Sequence, residues 1–387
     1  MFSPRSIFGT LWALQIVLHL IFSNAFYPFE LQTWGAIFLG FTFFYAGTFL
    51  SDGIFRRGVL ISKHNQKEKL NNLTFFLNCF LCIYLFAALL SAMELYATLQ
   101  EMGADGLNFP VIRQIVVLDF DGDRLLYGLF RVFYLGVGFC IFFVASSKEI
   151  TKKQLIMVLI IGLVSALLTT GRLYLLLYFI SIAALLYRER FISSKGVLLA
   201  GLIFLSLFFL VALLLGKGDD DGTASLFENV LWNSQVYFMS SISCFNDYLV
   251  SNSQNIDGGA LLPNPIRDFL SNFGMSIPLK PALNPFSYVP VPCNTYTYLF
   301  PLYHDGSFFG VIFGSFMIGA FHQFLYLKFI FTNSPIWGYF YAISIYALLM
   351  TIFEDAYFSS PGFWLLLMIP PAAYYAYYWV KLNRPMR

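Results

Sequence analysis

Ten apolar runs, most of them about twenty residues long, govern what this chain can fold into. They lie near residues 6–25, 33–51, 73–94, 126–146, 154–170, 173–187, 196–216, 307–331, 336–353 and 361–380. About twenty helical residues cross the hydrocarbon core of a bilayer. Backbone polar groups in lipid must bond to one another, which favours helices. The expected fold class is therefore an all-α integral membrane protein with about ten transmembrane helices. Only 11% of residues are charged, against about 25% in soluble domains. The fifth and sixth runs are short and separated by Thr169-Thr170-Gly171-Arg172. They read as a tilted hairpin or a broken span. Arg5, the apolar stretch 7–22 and Ser23-Asn24-Ala25 have the outline of a signal peptide, but with nine further runs behind them an uncleaved first helix is expected.

One polar island, residues 217–306, interrupts the pattern. It divides the chain into an N-terminal bundle of seven spans (1–216), a large loop (217–306) and three C-terminal spans (307–387). The island opens on an acidic turn, Asp219-Asp220-Asp221. Ser225 and Glu228 then form a capping box, followed by Phe227, Val230, Leu231, Phe238, Ile242, Phe245 and Leu249 at roughly helical spacing. That pattern predicts an amphipathic helix on the membrane surface or capping the bundle. Seven prolines between 251 and 300 exclude a long helix there, so an ordered coil, a potential lid, is expected. Such a polar stretch is expected to lie outside the hydrocarbon.

Sixteen of the 23 Lys and Arg residues fall on one side of the ten-span arrangement, including Arg5, Arg56, Lys148, Arg188, Lys328 and Lys381. Positive charge marks the cytoplasmic side. Both termini are thus expected in the cytoplasm and the large loop outside. The net charge of +2 gives no field that would draw nucleic acid.

No nucleotide-binding loop, H-E-x-x-H or G-x-S-x-G motif occurs, so no metal and no cofactor are expected. The run Asp119-Phe120-Asp121-Gly122-Asp123 resembles the start of a calcium loop, but it lacks the later ligands and reads as a solvated turn. Cys79 and Cys82 form a C-x-x-C inside an apolar run without nearby ligands, and read as buried small hydrophobes. Cys244 and Cys293 share the large loop and could pair in an oxidising compartment. Spacing alone leaves that open.

Ionisable residues at membrane depth are costly and mark function. Arg172 follows Thr-Thr-Gly at the outer end of a span, where its guanidinium fork suits a phosphate or pyrophosphate. Arg131 lies about one turn into the fourth run. It either snorkels to the outer surface or turns inward toward Glu94 or Glu354. Arg267, in Asn264-Pro265-Ile266-Arg267-Asp268, is one of three cations in the large loop and suits an anionic substrate, or pairs locally with Asp268. His304 and Asp305 precede the eighth run. A His beside an Asp can serve as a general base, but neighbours on an extended chain point apart, and Asp305 also fits a helix N-terminus. Glu354 ends the ninth run on the outer side as another potential base. His19 and His322 read as helix-packing hydrogen-bond formers.

Thr169-Thr170-Gly171-Arg172, the late outer loop, and Asn294-Thr295-Tyr296-Thr297 leading through Pro301-Leu302-Tyr303-His304-Asp305-Gly306 to Gly310 and Gly314 resemble the O-antigen polymerase (Wzy) group, in particular its oligosaccharide repeat-unit polymerase branch. That group often reads Asp-Phe-Gly where this chain has His304-Asp305-Gly306-Ser307. Asp305 matches the Asp, while the aromatic is missing. The resemblance implies a GT-C-like glycosyltransferase of the bacterial inner membrane. It would move a growing glycan from undecaprenyl pyrophosphate onto a new lipid-linked repeat unit on the periplasmic face. It implies the lipid bilayer and a chain-length regulator protein as partners, and no nucleotide sugar or metal. The resemblance implies outer-loop arginines as pyrophosphate ligands, here Arg172 and Arg267. By their own chemistry Arg131 is a further candidate ligand, His304, Asp305 and Glu354 are the candidate catalytic groups, and Tyr296 and Tyr303 suit stacking on sugar rings. A flippase or transporter of the same lipid-linked oligosaccharide, an O-antigen ligase, and a structural lipid-binding protein remain alternatives. The nearly uncharged middle of the spans weighs against a central transport cavity.

Overall fold

The computed structural model describes residues 2–62, 73–101, 103, 111–112, 125–169, 171–214, 226–251, 260–275, 277–278, 284 and 286–382. The Asp219–Asp221 turn, the capping box at Ser225, the acidic run 119–123, Arg113, Thr170, Lys217 and Lys280 lie outside the described residues. The elements are α1 (Pro4–Ile21), α2 (Ser23–Phe26), α3 (Leu31–Ser62), α4 (Leu73–Glu101), α5 (Leu125–Ala145), α6 (Lys152–Leu168), α7 (Arg172–Arg188), α8 (Ser194–Leu214), α9 (Leu226–Ser251), α10 (Asn264–Ser271), β1 (Ser287–Tyr288), β2 (Pro292–Cys293), α11 (Leu299–Phe331), α12 (Pro335–Met350) and α13 (Pro361–Leu382).

A helix coincides with each of the ten apolar runs. Four are long and apolar enough to cross a membrane: α1, α3 over Leu31–Arg56, α4 and α11. Shorter apolar helices span Arg131–Ala145, Ser194–Phe208 and Pro335–Met350. The chain is an all-α, multi-pass membrane protein. Large side chains such as Phe38, Ile83, Phe86 and Leu198 stand exposed on these helices, as a bilayer solvent permits. Cys79 and Cys82, expected buried, are exposed on α4. The reason is that an apolar helix face in a membrane protein can be covered by lipid as well as by protein.

The chain forms two compact units. The first comprises residues 1–65, 223–332 and 344–361, and the second residues 66–222, 333–343 and 362–387. The first unit is built on α3 against α11. A Cβ at Gly47 would sit 2.0 Å from the Phe316 carbonyl oxygen, and one at Gly319 2.1 Å from that of Phe44. Only glycine lets the two backbones meet this closely, as small residues do at membrane helix interfaces. α1 joins them through its side chains: Trp12 Nε1 donates to Thr351 Oγ1 (3.2 Å), and Gln15 Nε2 donates to the carbonyls of Phe238 and Ile352 (both 2.9 Å). At one end Arg5 pairs with Asp52 (3.6 Å), as does Arg56 (3.8 Å), and Gln323 Nε2 donates to the same carboxylate (3.3 Å).

The second unit packs α4, α5, α6, α7 and α8. Thr151 and Gln154 close a capping box at the start of α6. Tyr84, Leu95, Leu99, Ile112 and Phe133 form one core cluster. The Glu189 carboxylate takes Lys148 (2.5 Å) and Arg188 (2.7 Å) at the C-terminal end of α7.

The prolines act as expected on the island: between 260 and 298 the described backbone holds only the eight-residue α10 and the β1–β2 ribbon. α9 forms where the amphipathic pattern predicts a helix. It buries polar as well as apolar groups, because it packs against the turn before α3 and the turn after α12, whose carbonyls and amides need partners. Asn246 Oδ1 accepts from Glu30 N (2.9 Å) and Thr33 Oγ1 (2.6 Å), and Ser241 donates to the Ile352 carbonyl.

The end of the island departs from a purely external loop. Tyr298 is buried, edge-on to Phe8 and Trp12 of α1, with its hydroxyl 3.0 Å from Ser315 Oγ in mid-α11. Leu299 faces Gly40, nine residues past the start of α3. α11 is broken at Ser307 (φ 49°, ψ −145°). The Leu302 carbonyl lies where a Cβ on Gly310 would stand, at 2.0 Å. Residues 302 and 310 would be about 12 Å apart along a straight helix. The segment 299–306 therefore folds back beside the start of 308–331, and Gly310 is the residue that permits it. Non-helical backbone at such depth is tolerated when protein covers it, and here the Tyr298 N–H donates to the Thr351 carbonyl (3.1 Å).

Candidate functional site

A second group of polar residues in the first unit lies on the broken helix, α9 and the turn after α12. Cys244 of α9 and Cys293 of β2 form a disulfide, with Cα atoms 6.5 Å apart. This settles the pairing that spacing left open. β1 and β2 pair antiparallel, Ser287 opposite Cys293, and lead the chain into Tyr296. That ring stacks on Phe300 at 4.4 Å, and Tyr248 of α9 meets Phe300 edge-on at 4.9 Å. On this aromatic base lies His304, its Nδ1 2.8 Å from the Tyr248 hydroxyl.

His304 and Asp305 adjoin in sequence, yet His304 Nε2 is 3.9 Å from Asp305 Oδ1, beyond hydrogen-bond length. The Asp305 carboxylate instead accepts the backbone N–H groups of Ala260 (2.5 Å) and Leu261 (2.8 Å). It ties the middle of the large loop to the corner at Ser307. Arg267 is fully buried. Its Nε donates to the Leu262 carbonyl and its Nη1 to the Pro278 carbonyl, both at 2.7 Å. Both side chains hold the loop in shape.

Glu354 follows α12 in the turn 351–360. Burial, and then the neighbouring Asp355 charge, push its carboxyl from the ordinary 4.5 up to about 7. Asp355 closes the turn, accepting from Tyr357 N (2.9 Å) and Phe358 N (3.2 Å). The Tyr357 hydroxyl lies 3.0 Å from His322 Nε2. His19 Nε2 meets the Tyr27 carbonyl at 2.8 Å and its ring stacks on Phe29. Both intramembrane histidines form the packing hydrogen bonds that the sequence led us to expect.

Of the proposed sugar-stacking tyrosines, Tyr296 is 2% exposed. Tyr303 is partly buried, edge-on to Phe245 and Phe308. Tyr288, at the ribbon turn, is 72% exposed beside the exposed Phe286, and offers the open ring face that sugar stacking needs.

In the second unit Arg172 is the first residue of α7. It is 8% exposed, with its guanidinium over the Phe208 ring at 4.9 Å. A cation at a helix N-terminus stands beside unsatisfied N–H groups that also favour an anion. Arg131, on α5, is exposed. No group of three or more His, Cys, Asp or Glu residues able to hold a metal occurs among the described residues.

Sequence reasoning passed over Tyr248. Its signal was present: it lies one helical turn after Cys244 on the same face of α9.

The chain is similar to an O-antigen polymerase of Shigella dysenteriae. The two are 23% identical over 281 residues, covering 72% of this chain and 69% of the relative. This bears out the resemblance drawn from the Thr-Thr-Gly-Arg turn and the 294–314 segment. No family model matches the chain, and no solved structure matches it.

Proposed function

We propose that the protein is a glycosyltransferase that polymerises lipid-pyrophosphate-linked oligosaccharide repeat units into a surface polysaccharide. It would act on the periplasmic face of the bacterial inner membrane, with both termini in the cytoplasm and ten spans. The observation that carries this reading is the similarity to an O-antigen polymerase over 281 residues. The Cys244–Cys293 disulfide supports the periplasmic assignment, since disulfides persist in oxidising compartments.

In the proposed reaction an acceptor hydroxyl attacks the anomeric carbon of the growing glycan. The bond from that carbon to the pyrophosphate oxygen breaks, and the electron pair leaves on the pyrophosphate. The hydroxyl proton passes to a base. Glu354, whose pKa of about 7 suits proton transfer at neutral pH, and His304 are the proposed bases. Asp305 contributes by holding the loop at the corner. Arg172 is the proposed pyrophosphate ligand, where a fixed guanidinium stabilises the charge that develops on leaving. Arg131 assists it from α5, and Arg267 shapes the loop. Tyr288 is the proposed glycan-stacking ring, with Tyr303 partly open beside the corner, and Tyr296 packs beneath as support.

Deleting the gene and separating the surface glycolipid by size tests the reading. A ladder collapsed to core plus one repeat is the expected result. Loss of even the single repeat would overturn it in favour of a flippase or a ligase. Restoring the gene with Arg172→Ala is expected to give the same single repeat at normal membrane levels. Wild-type chain lengths would remove Arg172 from the pyrophosphate role.

A further inference from the structure

We infer that Tyr248 is a positioning residue for His304: its hydroxyl fixes the imidazole orientation and holds the proton on Nδ1, so that Nε2 is the nitrogen that meets substrate. This rests on the proposed role of His304 as a base. The hydroxyl is 2.8 Å from Nδ1, and the tyrosine ring is held from two sides. Phe300, one turn before His304, packs edge-on to it at 4.9 Å, and Tyr296 does so at 6.4 Å. The Cys244–Cys293 disulfide then locks α9, one turn before Tyr248, to the strand that precedes Tyr296. Every element that carries the pair is thus fixed relative to the others. A rigid support of this kind is what a reacting side chain needs to stay in register.

The neighbouring acid does not serve the same purpose. Asp305 is 3.9 Å from Nε2 and binds two backbone amides. Tyr248 therefore takes the place that a carboxylate fills in a His–Asp arrangement. Among the described residues, Tyr248 from α9 and Asp305 from its own segment are titratable groups that face His304. Those facing Tyr248 are Tyr303, Asp305 and Tyr296, which together with burial raise its phenol above the ordinary 10. The roles at this bond follow the imidazole tautomer: with the proton on Nδ1 the phenol oxygen accepts it, and Nε2 is left free to act as the base. As His304 takes the substrate proton, that hydrogen bond becomes charge-assisted and strengthens.

The test is the rate of polymerisation against pH in membrane vesicles carrying the full chain. The substrate is the lipid-pyrophosphate-linked repeat unit extracted from the same bacterium. Tyr248→Phe keeps the ring and removes only the hydroxyl. We expect a fall of up to about a hundredfold, the cost of misplacing a reacting group. Its acidic limb should move to lower pH by about half a unit, since the imidazolium loses an acceptor worth one net hydrogen bond. His304→Ala should fall at least as far, and the double variant no further than His304→Ala. If His304→Ala is inactive while Tyr248→Phe keeps the wild-type rate and limb, the positioning role is wrong and the base stands. If His304→Ala is fully active, the base assignment itself fails. Should Tyr248→Phe not accumulate, 3-fluorotyrosine at 248 decides with unchanged shape. A weaker acceptor oxygen should again move the limb downward, and an unmoved limb overturns the proposal.

Discussion

Arg267 and Arg172 look alike in sequence, and their surroundings separate them. Arg267 spends two guanidinium nitrogens on the carbonyls of Leu262 and Pro278. Removing a buried charged donor strands those acceptors. Arg267→Leu should therefore lower stability by about 2–4 kcal/mol, visible as a lower Tm in detergent and faster proteolysis within 260–275. Retained activity in the surviving folded fraction would confirm a structural role. Arg172, over Phe208 at a helix start, should behave in the opposite way, with normal stability and lost polymer. Glu354 gives a pH signature. Its pKa is raised from 4.5 to about 7 in the folded protein, so between these values the folded state binds more protons than the unfolded one. Stability should fall as pH rises through that window, with the full penalty present above about 7. Glu354→Gln should flatten the dependence. Tm at pH 5 and pH 8 for both proteins checks the sign.

At the scale of elements, the α3–α11 pair is set by glycines that allow backbone contact, and the back-folded segment 299–306 by Gly310. A branched side chain has no room at 2.1 Å from the Phe44 carbonyl. Gly319→Val should cost about 1–3 kcal/mol through overpacking, or prevent accumulation in the membrane. Gly362, whose Cβ would meet nothing within 4 Å, is the matched control, and Gly362→Ala should leave Tm unchanged. The same packing explains why the His304–Asp305 corner is a corner. Ser307 takes a left-handed φ of 49°, unusual for a residue with a side chain, where Leu302 meets Gly310 and Gly314.

For the whole molecule, the disulfide joins residues 49 apart in the sequence and closes the loop that carries Tyr248 toward Tyr296 and His304. Cross-links of this span contribute about 2–4 kcal/mol, chiefly by restricting the unfolded chain. Reductant should lower Tm of the wild type and leave Cys244→Ser unchanged. Equal Tm shifts in both would show that the bond contributes nothing to stability.

The apolar runs determined by themselves that the chain is a multi-pass helical membrane protein. A bilayer leaves the backbone almost no other choice, and helices stand at all ten runs. Period also predicted α9, and the prolines excluded a long helix between 251 and 300, because both are local rules. The resemblance at 169–172 and 294–314 was legible because polar residues and glycines recur there among apolar ones. Tertiary structure alone decided which side chains are committed to packing. Nothing local distinguishes Arg267, clamped between two carbonyls, from a free loop arginine, or shows that Asp305 would turn from His304 to the amides of Ala260 and Leu261. The Tyr248–His304 bond spans 56 positions, and Tyr298 reaches α1 across 286 to 290. Such contacts arise only when distant segments pack together, and no window of sequence contains both partners.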